Sequence, residues 1–309
     1  MKSHVRVAVI GGGVVGCSVL YHLAKLGWSD LVLLERDELT CGSTWHAAGG
    51  MHTLNSDPNV AKLQEYTIQL YKEIEEISGQ SCGAHITGGL MLAGTPERMD
   101  FIRSAHAQGK NLGMQTELIE ISEAAKLFPL MEPKHFLGAL YDPMEGHVDP
   151  SGVTNAYAKA ARIKGAEIHR KTRVIELNPT PEGHWQVVTD QGTLEAEIVV
   201  NAGGLWAREV GRMVGLELPI LAMQHQYIIT EEMPEVLAHK ESAGQELMHV
   251  IDFEAEIYMR QERGGMLMGT YERQGVPWSE RETPGGFGHE LLPPDRGRIP
   301  DSRAVGCGR

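Results

Sequence analysis

Three groups of residues near the start of the chain have types and spacings that could do chemistry. Gly11-Gly12-Gly13-Val14-Val15-Gly16 spells G-x-G-x-x-G directly after the apolar run Val5, Val7, Val9 and Ile10. Glu35 closes a second apolar run, Leu31 to Leu34. Cys41 to Gly50 reads CGSTWHAAGG, small residues around a single histidine, His46. The first two groups predict a bound dinucleotide. Gly11 permits a tight turn, Gly13 lets backbone approach a pyrophosphate, and Gly16 lets a helix pack closely on the strand. A helix opening at Val14 turns free N–H groups and a positive dipole end towards the phosphates. The Glu35 carboxylate suits the hydroxyls of an adenosine ribose and would repel a 2′-phosphate, which favours FAD or NAD over NADP. A lone G-x-G-x-x-G is weak, but strand, glycines, helix, strand and acid within about thirty residues make the full βαβ fingerprint. The small-residue stretch lets backbone lie against a large flat ligand. A flavin needs such a loop beside the phosphate site, and a nicotinamide does not.

Elements that would position these groups can be read along the chain. A helix over Val14 to Leu26 ends at Gly27. Amphipathic spacing predicts helices over Asn59 to Ser78 and from Thr95 to about Leu112. A short helix opens at Ser122, and another runs from Ser151 to Lys164 with Ser151 as its cap. Strands are expected over Ile86 to Ala93, with a bulge at Gly88-Gly89, and over Gly138 to Tyr141. Further strands are expected over Glu167 to Leu177, Trp185 to Thr189, Thr193 to Val200, Leu218 to Thr230 and Glu256 to Tyr271. Val199-Val200 runs into Asn201-Ala202-Gly203-Gly204, a second place where backbone can touch a cofactor. The fold class is therefore α/β (α+β overall). Residues 1–79 and 150–216 form a Rossmann-like FAD-binding domain. An inserted, discontinuous substrate domain, 80–149 and 217–292, carries a mostly antiparallel sheet. Residues 293–309 hold Arg296, Arg298, Arg303 and Arg309 among glycines, without period, and read as an unpacked tail.

Composition bounds the rest. The chain has 309 residues, 42% of them hydrophobic, which is enough for a sizeable core. A net charge of −13 makes it a poor nucleic-acid binder. No run of about 20 apolar residues is available to span a membrane. Cys17, Cys41, Cys82 and Cys307 form no C-x-x-C, so neither a structural metal site nor a disulfide framework is expected. This fits a reducing compartment, the cytoplasm, or the mitochondrial matrix if a presequence has been removed. A first strand at Val5 leaves no room for a leader.

The sequence resembles the FAD-dependent amine dehydrogenases of the dimethylglycine/sarcosine dehydrogenase group, in the D-amino-acid-oxidase-like superfamily. The resemblance runs from about Val5 to Pro294, on the motifs VIGGGVVG, LLERDELTCGSTWHAAG, LYDPMEGHVDPSG, VNAGGLWAREVGRM and MQHQYIIT. It implies FAD held by Gly11, Gly13, Val14, Val15 and Gly16, with Glu35 and Arg36 at the ribose. It further implies that Gly42, Ser43, Thr44, Trp45, His46, Ala47, Ala48, Gly49 and Gly50 lie beside the flavin. Val174 would meet the adenine side and Trp206 would lie near the cofactor. His46 matches the histidine that bonds covalently to the flavin 8α-carbon, and a neutral imidazole is a competent nucleophile for that bond. The plainer reading is a loop histidine that only hydrogen-bonds. His225 and Tyr258 match positions over the flavin face and would accept or relay the proton of an amine. Their plainer reading is a satisfied core histidine and a packing residue. The other histidines, His22, His85, His106 and His147 among them, show no ligand spacing.

The implied reaction is oxidation of the C–N bond of dimethylglycine or sarcosine by hydride transfer to flavin N5. The products are an imine, then formaldehyde. The partners are a small N-methyl amine and an electron acceptor, either an electron-transfer flavoprotein or oxygen. A non-catalytic binding or regulatory protein on the same scaffold is the alternative. The related phosphatase regulatory subunits lack the motif histidine, so His46 favours the enzyme. Family members continue past Pro294 into a loop that contacts the flavin, and many add a folate-binding domain. The expectation is that this chain alone is an unstable fragment with little or no turnover.

Overall fold

In a computed structural model, which describes residues 2–55 and 57–286, the first apolar run becomes the strand β1 (His4–Ile10). Its alternate side chains are buried on both faces, as parallel strands require. The helix α1 (Val14–Lys25) follows and buries Cys17, Leu20, Tyr21 and Ala24, one stripe at helical spacing. β2 (Leu31–Leu34) is wholly buried and pairs parallel with β1, Val7 opposite Leu31. A two-residue strand, β3 (Gly50–Met51), leads into α2 (Pro58–Ser78). The Asp57 carboxylate caps α2 by accepting the Asn59 N–H at 2.7 Å, and Gly79 ends it in the left-handed region.

β4 (Gly89–Ala93) starts three residues later than the expected strand, because Gly88 turns the chain at φ 78°. Then come α3 (Pro96–Asn111), capped by the Thr95 hydroxyl on the Arg98 N–H, β5 (Glu117–Ile119), α4 (Ile121–Leu127), β6 (Gly138–Asp142) and β7 (Gly146–His147). α5 (Pro150–Ile163) packs on α1 through Val153, Ala156, Tyr157 and Ala160. Its cap is Asp149, not the expected Ser151: the carboxylate accepts the Ser151 N–H at 3.0 Å. The single strand expected over 167–177 is two, β8 (Glu167–His169) and β9 (Val174–Pro179). The chain breaks at Lys171, φ 52°, since β8 pairs with β2 on one edge and β9 joins a meander on the other. β10 (Trp185–Thr189) and β11 (Gly192–Asn201) complete that meander. The sheet order is β8-β2-β1-β11-β10-β9, with the first four strands parallel.

After α6 (Ala207–Arg212) the chain builds the second sheet. The expected strand over 218–230 is β12 (Ala222–Gln224) and β13 (Tyr227–Ile229), which belong to different sheets. α7 (Pro234–Ala243) and β14 (His249–Asp252) had no sequence expectation. The stretch 256–271 is a hairpin, β15 (Ile257–Glu262) and β16 (Gly265–Thr270), turning at Arg263 with φ 55°. The last strand among the described residues is β17 (Val276–Ser279), paired with β12. The seven-stranded order β13-β16-β15-β14-β4-β6-β5 joins the insertion to the later segment. Every pair in it is antiparallel except β14 with β4. The fold is thus the mixed α/β arrangement expected, with a discontinuous, mostly antiparallel second sheet.

Residues 279–285 dock on α6. Arg208 donates to the Glu280 and Ser279 carbonyls, Arg212 to that of Arg281, and the Thr283 N–H reaches Glu209 at 2.7 Å. Two arginines on one helix turn hold the backbone carbonyls that return the chain to the nucleotide-binding unit. The tail expected over 293–309 lies outside the described residues.

Candidate active site

The β1-to-α1 turn is shaped by contacts that leave no room for side chains. Gly11 sits at φ 114°, and a Cβ there would fall on the Ala202 carbonyl. A Cβ on Gly16 would fall on the carbonyl of Gly11. The glycines therefore let three backbone segments, 11, 16 and 202, meet at the carboxyl end of β1, where doubly wound sheets bind ligands. Glu35, buried at the end of β2, accepts the Gly12 N–H at 2.6 Å and the Asp37 N–H at 2.8 Å. Two charge-assisted bonds hold its carboxylate beside the glycine turn. The Thr172 N–H donates to the Glu35 carbonyl at 2.8 Å, which sets Val174 close by in the core.

The small-residue loop joins the same place. The Thr44 hydroxyl accepts the Val14 N–H at 3.0 Å, so loop and helix start form one polar unit. His46 Nδ1 lies 2.9 Å from the Gly42 carbonyl. A carbonyl only accepts, so Nδ1 is the donor in this contact. The Trp45 ring lies 3.9 Å from the His46 ring. The Arg36 guanidinium lies 3.9 Å above the Trp206 ring and bonds the Gly285 carbonyl, while Trp206 Nε1 reaches that of Pro284 at 3.3 Å. A Cβ on Gly42 would come within 3.4 Å of Trp206. The structure thus brings the turn at Gly11 to Gly16, Glu35 and Thr44 together at one strand end, with Trp206 against Arg36 and Gly42, while Val174 lies in the core beside the sheet.

Residues 47–50 run on towards the second sheet. The Gly49 carbonyl accepts the Val148 N–H at 2.9 Å, and Gly50 pairs with His147. Arg260 Nε donates to the Ala48 carbonyl at 2.8 Å. Its Nη1 is bonded to the Gln261 carbonyl and to Glu262, both at 2.8 Å. Tyr258 stands two residues earlier on the same face of β15 and packs with Ile251, Leu267, Tyr227 and Ala48. Gly269 makes space for it, since a Cβ there would fall on the Tyr258 ring. Burial pushes the Tyr258 phenol up to about 12, so it stays protonated at neutral pH. His225, on the short link between β12 and β13, is half exposed. Its Nδ1 lies 2.8 Å from Glu272, and its ring is 6.5 Å from that of Tyr258, 24° from parallel. A cleft of about 770 Å³ is bordered by Trp45, Ala47, Val148, Tyr227, Arg260 and Leu267, and neither Tyr258 nor His225 is among its lining residues.

Sequence reasoning missed two clusters. His52, Glu145 and His249 meet beside Gly50, and His85, His147 and Glu246 meet at the cleft. Each draws on residues far apart in the chain, so no spacing could reveal it. Burial pushes the Glu145 carboxyl up. Burial lowers His52, but the facing Glu145 carboxylate outweighs it and the net shift is upward. Burial, with His52, His147 and Arg260 nearby, holds His249 well below its usual range. His147 is pushed down to about 3, mainly by burial.

The donors of the cradle suit FAD: backbone N–H groups at a helix start, a buried carboxylate, and glycines at positions where a Cβ would fill the space. Residues 6–306 match the DAO family, FAD dependent oxidoreductase, and the chain belongs to that family. Among its relatives, the mitochondrial dimethylglycine dehydrogenase of Rattus norvegicus is 43% identical over 303 residues, 96% of this chain and 35% of that protein. The mitochondrial sarcosine dehydrogenase of Homo sapiens is 35% identical, over 93% of this chain and 31% of that protein. The chain therefore spans about a third of the length of these relatives. Among solved structures, L-proline dehydrogenase from P. horikoshii superposes with a TM-score of 0.80 at 26% identity, covering 93% of this chain and 75% of that one. No described helix is long and apolar enough to cross a membrane.

Proposed function

We propose that this chain holds FAD across the end of β1 and oxidises the C–N bond of an N-methylated glycine, dimethylglycine or sarcosine. The observation that carries the reading is the Arg260–Ala48 bond. It ties the loop after His46 to β15, so that one cleft is bordered by Trp45 and Ala47 of the loop and by Arg260 of the strand. In this reading Gly11, Gly13, Val14, Val15 and Gly16 take the pyrophosphate, and Glu35 and Arg36 face the ribose. The loop from Gly42 to Gly50, with Val174 and Trp206, walls the rest of the cofactor. His46 would hold the flavin ring, with its Nε2 as the nitrogen available for covalent attachment. FAD, when bound, supplies the two-electron acceptor.

The amine must be neutral before a hydride can leave its methyl group. His225 takes the ammonium proton, and Glu272 at 2.8 Å stabilises the imidazolium that results. Tyr258, a phenol at neutral pH, donates a hydrogen bond to the substrate. The oxidised product is an imine, which water splits into formaldehyde and the demethylated amine. Electrons pass on to an electron-transfer flavoprotein or to oxygen, in the matrix or the cytoplasm. Acid precipitation of the purified protein gives a yellow, fluorescent pellet if flavin is covalent, and peptide mapping then finds the mass addition on the His46 peptide. A colourless pellet with FAD left in the supernatant would reject the covalent link. Absence of formaldehyde from either substrate, with FAD bound and the chain extended by the segment that follows Pro294 in family members, would reject the reaction.

A further inference from the structure

His52, Glu145 and His249 make a second candidate site that no relative's description assigns. The three come from separate elements: the loop after β3, the turn before β7, and the first residue of β14. Their side chains converge. His52 Nδ1 lies 3.2 Å from one carboxylate oxygen of Glu145, and His249 Nδ1 lies 4.0 Å from the other. The two rings are edge to face with centroids 4.7 Å apart. Both Nε2 atoms turn towards Gly50, each 3.4 Å from where a Cβ would stand, so the Nδ1 atoms are the ones facing Glu145.

Burial makes the arrangement costly as it stands. The Glu145 side chain is 6% exposed and that of His249 2%. At 4.0 Å the second contact is too long for a hydrogen bond. His249 Nδ1 is accordingly a buried polar atom without a hydrogen-bond partner. Such an atom is destabilising, and an ordered ion or water is a usual explanation. Room for the carboxylate is built in: Gly89, the β4 residue opposite His249, would place a Cβ on it. The other charged groups nearby have partners of their own. Asp142 accepts the Met144 N–H at 2.9 Å and the Thr53 hydroxyl. Arg260 is committed to Ala48, Gln261 and Glu262.

We propose that His52, Glu145 and His249 bind a divalent cation of the zinc class, fastening the loop after the small-residue stretch to the substrate sheet. Two imidazoles and a carboxylate are a zinc-type donor set and do not suit magnesium or calcium, which prefer all-oxygen sites. Bonds of about 2.0–2.2 Å in a tetrahedral array put ligand atoms about 3.3 Å apart. The observed 3.2 Å and 4.0 Å run to the two different oxygens of Glu145, and the ligand atoms all lie within 4.8 Å of one another, so closing on a cation draws the three side chains together. A cation placed between them satisfies His249 Nδ1 and offsets the buried carboxylate at once. It gives His52 Nδ1, also without a hydrogen-bond partner, a ligand bond, and leaves a fourth position for water.

The test uses the whole chain, stripped with a chelator and then titrated with zinc chloride, and needs no catalytic activity. One zinc per chain by plasma mass spectrometry after desalting, with a higher melting temperature, is the expected result. Glu145→Gln and His52→Asn should each weaken zinc at least tenfold, whereas His85→Asn, in the neighbouring cluster, should leave it unchanged. Cobalt substitution guards against variants that fail to fold. Wild-type protein should give intense tetrahedral visible bands, and X-ray absorption should show two imidazole shells. Folded wild-type chain that retains no zinc overturns the proposal. So does zinc that survives Glu145→Gln but is lost in His85→Asn, or a cobalt spectrum without imidazole ligation.

Discussion

The six-stranded sheet with its glycine turn and the seven-stranded sheet reach polar order by opposite routes. In the first, a contiguous stretch supplies nearly everything. Residues 11–46 carry the glycines, Glu35, Thr44 and His46, and backbone N–H groups satisfy the buried carboxylate. In the second, residues 52, 145, 225, 249, 258 and 260 arrive from different strands and turns: His52 meets Glu145 at 3.2 Å, Arg260 takes the Ala48 carbonyl, and His249 Nδ1 is left without a hydrogen-bond partner. The difference teaches where each unit is fragile. The first depends on backbone closeness, and the second on a few long-range polar contacts.

The largest effect is expected where backbones touch. Gly16→Val would drive a side chain into the Gly11 carbonyl and should destabilise the fold by about 3 kcal/mol or more. Urea unfolding followed by circular dichroism measures it; a loss below about 1 kcal/mol would show that the turn can open.

In the second unit, Arg260→Met removes the donor to Ala48 and leaves that carbonyl and Glu262 without it. A cost of about 2–3 kcal/mol follows, together with slower flavin attachment, while FAD affinity changes less. If stability and flavin attachment both stayed at wild-type levels, the two units would not be coupled through this bond.

Tyr258→Phe should lower turnover about a hundredfold, equal to about 2.7 kcal/mol, with FAD affinity unchanged. Steady-state formaldehyde release checks this, and undiminished turnover would return Tyr258 to a packing role.

Glu35→Gln should weaken FAD by about 2 kcal/mol through lost charge-assisted hydrogen bonds, with little change in the substrate sheet. Fluorescence titration of the protein before covalent attachment reads it, and an unaltered dissociation constant would place the ribose elsewhere.

The smallest effect lies at the exposed rim of the first sheet, where His184 Nδ1 meets Glu195 at 2.6 Å. The hydrogen bond to Glu195 raises His184 above its ordinary 6.5, and the same bond lowers Glu195 below its ordinary 4.5. The stability this pair contributes is therefore fully present between pH 4.5 and 6.5. It is lost upwards as His184 deprotonates through its raised pKa, and downwards as Glu195 takes a proton through its lowered one. His184→Gln should flatten that shallow dependence in melts across pH; an identical profile would leave the pair without influence. The same residue types buried at His52 and Glu145 should give a far larger response to substitution, which sharpens the contrast between the two units.

Much of the first unit could be read before any coordinates. Gly11 to Gly16, Glu35 and the loop around His46 lie within one βαβ stretch, and local rules of turn, helix start and strand apply to them directly. The expectation failed where pairing partners lie far away. The stretch 167–177 looked like one apolar strand, yet β8 and β9 pair on opposite edges of the sheet. The stretch 218–230 divided for the same reason. His249 and Glu145 carried no signal, because their meeting depends on β14 lying parallel to β4 beside the β6–β7 turn.

By itself the amino-acid sequence determined the dinucleotide cradle, the order of the main helices and strands, and the family to which the chain belongs. These follow from side-chain periodicity and from glycines whose backbone geometry no other residue tolerates. Only the tertiary structure decided that Arg260 grips the Ala48 carbonyl, that residues 279–285 return to α6, and that two imidazoles and a carboxylate share a buried point. The reason is physical: those contacts join residues separated by up to about two hundred positions, and strand register and sheet order, which bring them together, are set by the packing of the whole chain.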